Sequence, residues 1–141
     1  MHTVTLLGLP ECLAAVDAMV QASVDSATPP LALAIVNEHG ELMAFARMDG
    51  TTPMVQHFAS KKAYTAARMQ ADLKDFRSGL EQRGRTVADY GDPNLVGMAA
   101  GGVVVRSHDG SAVGGIGVSG AAPDEDDAIA RIGLKALLAQ V

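Results

Sequence analysis

Apolar residues recur along this chain in two rhythms, one suited to helices and one to strands. From Pro10, the residues Leu13, Val16, Val20 and Val24 fall at helical spacing with Ala14, Ala15 and Ala18 between them. That period predicts a first helix, closed by Pro29-Pro30. The short apolar run Leu31-Ala32-Leu33-Ala34-Ile35-Val36 predicts a buried strand, and residues 41–48 predict a second. Asn37-Glu38-His39-Gly40 between them suits a hairpin turn, with Gly40 supplying a positive φ. Thr51-Thr52-Pro53 is a helix start, because Thr can cap the first amides and Pro fits the first turn. This helix is expected to run past Met69 and to break near Ala71.

Residues 72–94 are polar and punctuated by Gly79, Gly84, Gly91 and Pro93, which predicts a short helix and then an irregular excursion. Gly101-Gly102 opens a second hairpin: a strand over residues 103–106, a turn at Ser107-His108-Asp109-Gly110, and a strand over residues 112–119. Pro123 begins the last helix. Asp124, Glu125, Asp126 and Asp127 lie in its first turn and Lys135 towards its end, both favourable to the helix dipole. Ile129, Ile132, Ala136 and Leu137 are expected to form its apolar stripe. Two hairpins, each followed by a helix, make this an α/β chain of the α+β kind. Gly40 to Gly50 and Gly110 to Gly120 repeat the same interval; duplication of a hairpin-plus-helix unit and convergent turn chemistry both account for it.

Length and composition narrow the class. At 141 residues the chain is expected to form a single domain spanning residues 1–141. Hydrophobic residues make up 48%, too many for a disordered segment. With aromatics at 4% and no Trp, the core must be built from Ala, Val, Leu, Ile and Met. A net charge of -5 argues against nonspecific nucleic-acid binding. No apolar run approaches the roughly 20 residues of a membrane span. Met1 to Thr5 lack the basic start and long apolar stretch of a signal peptide, so the expected address is the cytoplasm. One cysteine, Cys12, excludes an internal disulfide framework. Its place at a helix start could lower its pKa, but without an identifiable partner it reads as structural.

Candidate chemistry gathers around the second helix. Arg47 ends a strand and can grip a carboxylate with two parallel hydrogen bonds. Thr51 and Thr52 bring hydroxyls to a helix start that carries no carboxylate, so its free amides can receive an anion. Asp49 could orient Arg47 or act as a base; alternatively an Arg47–Asp49 pair merely pins the corner. The start of the last helix, crowded by four carboxylates, reads as satisfied internally, and Gly114, Gly115, Gly117 and Gly120 as places of close backbone packing. On the second helix, His57, Lys61, Tyr64 and Arg68 share one face, whereas Lys62 falls among apolar residues, four after Phe58 and four before Ala66. A lysine there must snorkel, pair with a carboxylate or reach a cavity. Desolvation would make it a candidate base or Schiff-base amine. The four histidines form no metal motif; His2 lies near the terminus, His39 and His108 in turns, and His57 alone on a regular element beside candidate site residues.

Arg47-Met48-Asp49-Gly50, Lys62-Ala63 with Thr65-Ala66, Gly101-Gly102 with Asp109-Gly110, and Val113-Gly114-Gly115-Ile116-Gly117-Val118-Ser119-Gly120 follow one another in an order that resembles the GlcG/HbpS-type haem-binding family. The same unit forms the C-terminal domain of PduO-type corrinoid adenosyltransferases. The resemblance covers about residues 31–138. It implies a central antiparallel sheet flanked by helices, similar to profilin-like folds, and homo-oligomers built from dimers. It also implies haem binding in some members, while others are encoded beside catabolic enzymes. His57 is the candidate axial ligand for such a haem.

Three functions follow as expectations. The first is an oligomer that binds a small ligand, haem or another tetrapyrrole. The second is a cofactor-independent tautomerase, hydratase or deaminase acting on a small organic acid. There Arg47, Thr51 and Thr52 hold the carboxylate and Lys62 or Asp49 moves a proton. The third is a structural or partner-binding role.

Overall fold

A computed structural model describes residues 7–139 of the chain. The terminal segments, including His2, lie outside the described residues. Helix α1 (Leu9–Ser26) is followed by strands β1 (Ala32–Asn37) and β2 (Leu42–Arg47), then helices α2 (Pro53–Met69) and α3 (Leu73–Arg83). A 3-10 turn at Val87–Tyr90 leads to β3 (Gly102–Arg106), β4 (Ala112–Ser119) and α4 (Pro123–Leu138). The strands form one sheet in the order β2-β1-β4-β3, with every neighbouring pair antiparallel. The expected α+β class with two hairpins is therefore present. Gly40 and Gly110 both adopt positive φ in the hairpin turns, at +81° and +88°. No helix among the described residues is long and apolar enough to cross a membrane.

The two hairpins are not copies of each other in space. The first strand of the first hairpin, β1, pairs with the second strand of the second, β4. The helices that follow them, α2 and α4, lie on opposite faces of the sheet. Convergent turn chemistry, rather than a structural repeat, accounts for the matched glycine intervals.

The two faces differ in bulk. Leu33 and Ile35 of β1, Val103 and Val105 of β3, and Ile116 and Val118 of β4 form the large-residue core with α1 and α4. The other face is made of small residues: Ala32 and Ala34 of β1 and Gly115 and Gly117 of β4, meeting Ala59, Ala63 and Ala67 of α2. A Cβ placed on Gly117 would overlap the carbonyl oxygen of Ala59, and one on Gly115 that of Ala63. The α2 backbone thus lies directly on the β4 backbone.

Two helices present faces other than those the sequence period suggests. In α1 the buried residues are Cys12, Ala15, Val16, Met19 and Ser23, while Leu13 and Val24 are exposed. In α4 they include Ile129, Ala130, Gly133 and Leu137, and Ile132 is exposed. The cause is a close helix–helix contact. Met19 fills the space left by Gly133, where a Cβ would meet its side chain at 2.5 Å. Met19 packs over Gly133 at this contact, and Leu13, Val24 and Ile132 are turned outwards. The thiol of Cys12 is sealed in this core, and burial pushes its pKa up rather than down.

Gly117→Ala should force α2 off the sheet. Overpacking of a tight core costs about 1–3 kcal/mol, and urea unfolding should show a loss of at least that size. An unchanged midpoint would contradict the close approach.

Candidate functional site

Lying so near the sheet, α2 carries its buried side inward, and Lys62 goes with it. The Lys62 side chain is 3% exposed. It does not snorkel to water. Its ammonium donates to the Val118 carbonyl at 2.8 Å and to Asp126 Oδ2 at 3.2 Å. Asp126 stands in the first turn of α4, and its Oδ1 accepts from the Ala121 amide at 3.0 Å. The pair therefore ties α2 to α4 around the end of the sheet, where β4 runs out and β3 begins. Gly101 makes room for it. This residue has φ of +92°, and a Cβ there would sit 2.7 Å from both Lys62 Nζ and the Val118 oxygen. Burial raises the Asp126 carboxyl pKa, against the opposing pull of Lys62 and the Ala121 amide.

Above this pair lies a cleft of about 280 Å³ lined by Val55, Lys62, Asp126, Ser119 and Gly120, and by Met98, Ala99 and Ala100 of the loop before β3. That loop is held by α2. Tyr64 donates to Asp92 Oδ2 at 2.6 Å, and the Val96 amide donates to the Thr65 hydroxyl at 3.0 Å. The Tyr64–Asp92 hydrogen bond raises the tyrosine pKa and lowers that of the carboxyl.

The sequence-derived candidates are distributed over three places. Arg47, Asp49, Thr51 and Thr52 stay together at the corner between β2 and α2. Arg47 makes a long contact of 3.4 Å to Gln56 Oε1, and among the described residues it forms no ion pair with Asp49. Thr52 occupies the cap position of α2 but makes no side-chain cap bond. The Thr51 hydroxyl is buried without a partner. None of these four lines the Lys62 cleft.

Lys61 points the other way, into a groove of about 280 Å³ with Val36, Gly40, Leu42, Ser60, Tyr64 and Asn94. His57 is exposed one helical turn before Lys61, on the same stripe of α2. Lys62 alone occupies the cleft, and its carboxylate neighbour is Asp126 rather than Asp49. In the sequence Asp126 stands out only as part of the acidic run. The available signal was a lysine on an apolar face needing a counter-charge, and four consecutive acidic residues able to supply it.

The family of haem degrading proteins described as HbpS-like matches residues 7–135. The chain belongs to the HbpS-like family. GlcG of Escherichia coli strain K12 is 33% identical over 89 residues, which span 63% of this chain and 63% of GlcG, less than two thirds of that relative's length. The crystal structure of a double mutant of HbpS from Streptomyces reticuli superposes with a TM-score of 0.83 at 29% identity, covering 96% of this chain and 89% of that one. A PduOC–haem complex superposes with a TM-score of 0.81 at 25% identity, covering 94% and 95% of the two chains. This HbpS-like chain thus has a structural relative crystallised with haem.

Lys62→Met strands the Asp126 carboxylate in a buried site. At neutral pH it should cost about 3–5 kcal/mol. The sign of its pH dependence follows from the raised Asp126 pKa. The folded state takes up that proton more readily than the unfolded one, so this group favours the fold at low pH and the advantage is lost as pH rises through the raised pKa. Urea unfolding of the variant should therefore show a smaller deficit at about pH 5 than at about pH 7. A deficit that grows on acidification would contradict the assignment.

Proposed function

We propose that this HbpS-like protein binds haem or a related tetrapyrrole as a homo-oligomer, on the groove between α2 and β2. The observation that carries the reading is the stripe on α2 that places the exposed His57 one turn before Lys61, which lines the groove with Val36 and Leu42. The relative crystallised with haem supports the same ligand class. Imidazole can occupy an axial position on the iron, and the Lys61 ammonium can meet a carboxylate at the rim. The remaining histidines fit less well. His39 stands at the hairpin tip beside Glu38, at 3.2 Å, and His108 is exposed at the other tip.

Size explains why a second copy belongs to this reading. The groove, at about 280 Å³, lies below the roughly 300–1,000 Å³ of pockets that enclose even drug-sized ligands. One chain offers a platform and not an enclosure. A second copy laid against the exposed β2 edge and its Leu42 would bury the other face of the macrocycle. Bound haem supplies a redox-active iron; the chain's part is to present an imidazole, hold a carboxylate and withdraw an apolar face from water.

Titration with haemin should produce a shifted Soret band that His57→Ala abolishes. Lys61→Ala should weaken binding by about 10-fold, as loss of a charge-assisted hydrogen bond does. Light scattering should report an assembly larger than one chain. A Soret shift unaltered by His57→Ala, or strictly monomeric behaviour with haem bound, would contradict this reading.

A further inference from the structure

The cleft above Lys62 shares no lining residue with the groove assigned to haem. Its floor offers hydrogen-bond donors from two side chains. A lysine ammonium carries three donors. Two of those on Lys62 are taken by Val118 and Asp126, and the remaining one has no acceptor among the described residues. Ser119 is 5% exposed, lines the same cleft, and its hydroxyl makes no hydrogen bond among the described residues. The Asp126 carboxylate already receives the Ala121 amide on one oxygen and Lys62 on the other. What remains at the floor is one ammonium donor of Lys62 and the Ser119 hydroxyl, which can donate as well as accept, on two side chains that are each more than nine-tenths buried.

The surroundings select the acceptor. Val55, Met98, Ala99, Ala100 and Pro123 make the walls apolar. Asp124 and Glu125 share the first turn of α4 with Asp126, so an anion entering would meet their field beyond the carboxylate that already neutralises Lys62, whereas Asp127 is buried and paired with Lys74 and Arg131. A volume of about 280 Å³ admits a molecule of few atoms.

We propose that this cleft binds a small uncharged carbonyl compound, an aldehyde, ketone or amide, whose oxygen accepts from Lys62 Nζ and from the Ser119 hydroxyl. A buried ammonium aimed at a carbonyl oxygen also polarises that bond. The cleft thereby withdraws electron density from the carbonyl carbon of its guest without forming any bond to it.

The test is a titration of the ¹⁵N-labelled protein with butanone and, separately, with butanoate, followed through backbone amide resonances. Butanone should shift the amides of Ala99, Ala100, Gly120 and Ala121 saturably, and butanoate should bind more weakly. Ser119→Ala, which leaves the Lys62–Asp126 pair intact, should weaken butanone by about 2- to 12-fold, the usual effect of one hydrogen bond. Lys62→Met should remove the saturable shifts. The proposal is overturned if butanone leaves those amides unmoved, if butanoate binds as tightly as butanone, or if Ser119→Ala leaves the butanone affinity unchanged. The wild-type titration decides the first two points even if Lys62→Met fails to fold.

Discussion

Backbone-to-backbone approach of α2 and β4 is the constraint on which the remaining architecture depends. Gly115 and Gly117 leave no side chains between the strand and the helix, and Ala59 and Ala63 complete the contact. A helix resting on a sheet through side chains of ordinary size stands roughly 10 Å away, the spacing seen between stacked layers. Here the layers close up, and a lysine on the inner side of the helix has no route to solvent along its own stem. Lys62 must satisfy its charge inside the molecule. It does so at the one place where the sheet ends and a second helix begins with carboxylates.

That solution shapes the electrostatics of the fold. A buried ion pair is weak support for stability, since desolvation offsets much of the attraction. Its effect here is geometric. Lys62 and Asp126 fix how α2 and α4 sit across the end of the sheet, and Asp126 at the same time occupies the free amide of Ala121. With Glu125 Oε1 accepting from the Ala122 amide at 3.3 Å, the α4 start is closed to an outside anion. A parallel device operates beside it. Asp72, the residue before α3, accepts from the β3 amide of Val104 at 2.9 Å and from Arg131 of α4 at 3.0 Å. The edge strand β3 is thus partly covered by a side chain, which blunts pairing with another chain.

The hairpins were legible because Gly40 and Gly110 combine positive φ with flanking apolar runs, and α2 and α4 because Pro53 and Pro123 mark their first turns. The stretch after Ala71 was legible only in outline, as a short helix before an irregular segment, since its anchors are distant: Asp72 to Arg131, Asp92 to Tyr64 and Thr65 to Val96. The helical period points to the wrong faces of α1 and α4, where Ala15 and Gly133 are among the buried residues and Leu13 and Ile132 are exposed. In the site, the anomaly of Lys62 was visible from its apolar neighbours, but its partner was not. Fifty-six residues separate Lys62 from Val118 and sixty-four separate it from Asp126. Nothing local indicates that the end of β4 returns beneath α2, so the sequence points to Arg47 and Asp49, close along the chain, before Asp126, close in space.

The close packing of α2 on the sheet is reported most directly by the state of one amine, that of Lys62. Lysine ammonium protons on a protein surface exchange with water too fast to be seen at neutral pH and room temperature, whereas an ammonium held between a carbonyl and a carboxylate in the interior exchanges slowly. A ¹H–¹⁵N spectrum tuned to lysine side chains should therefore show a persistent resonance that Lys62→Arg removes, with nuclear Overhauser contacts to Gly101 and Val118. Rapid exchange at Lys61, Lys62, Lys74 and Lys135 alike would show that Lys62 reaches water and that α2 does not lie on the sheet as described.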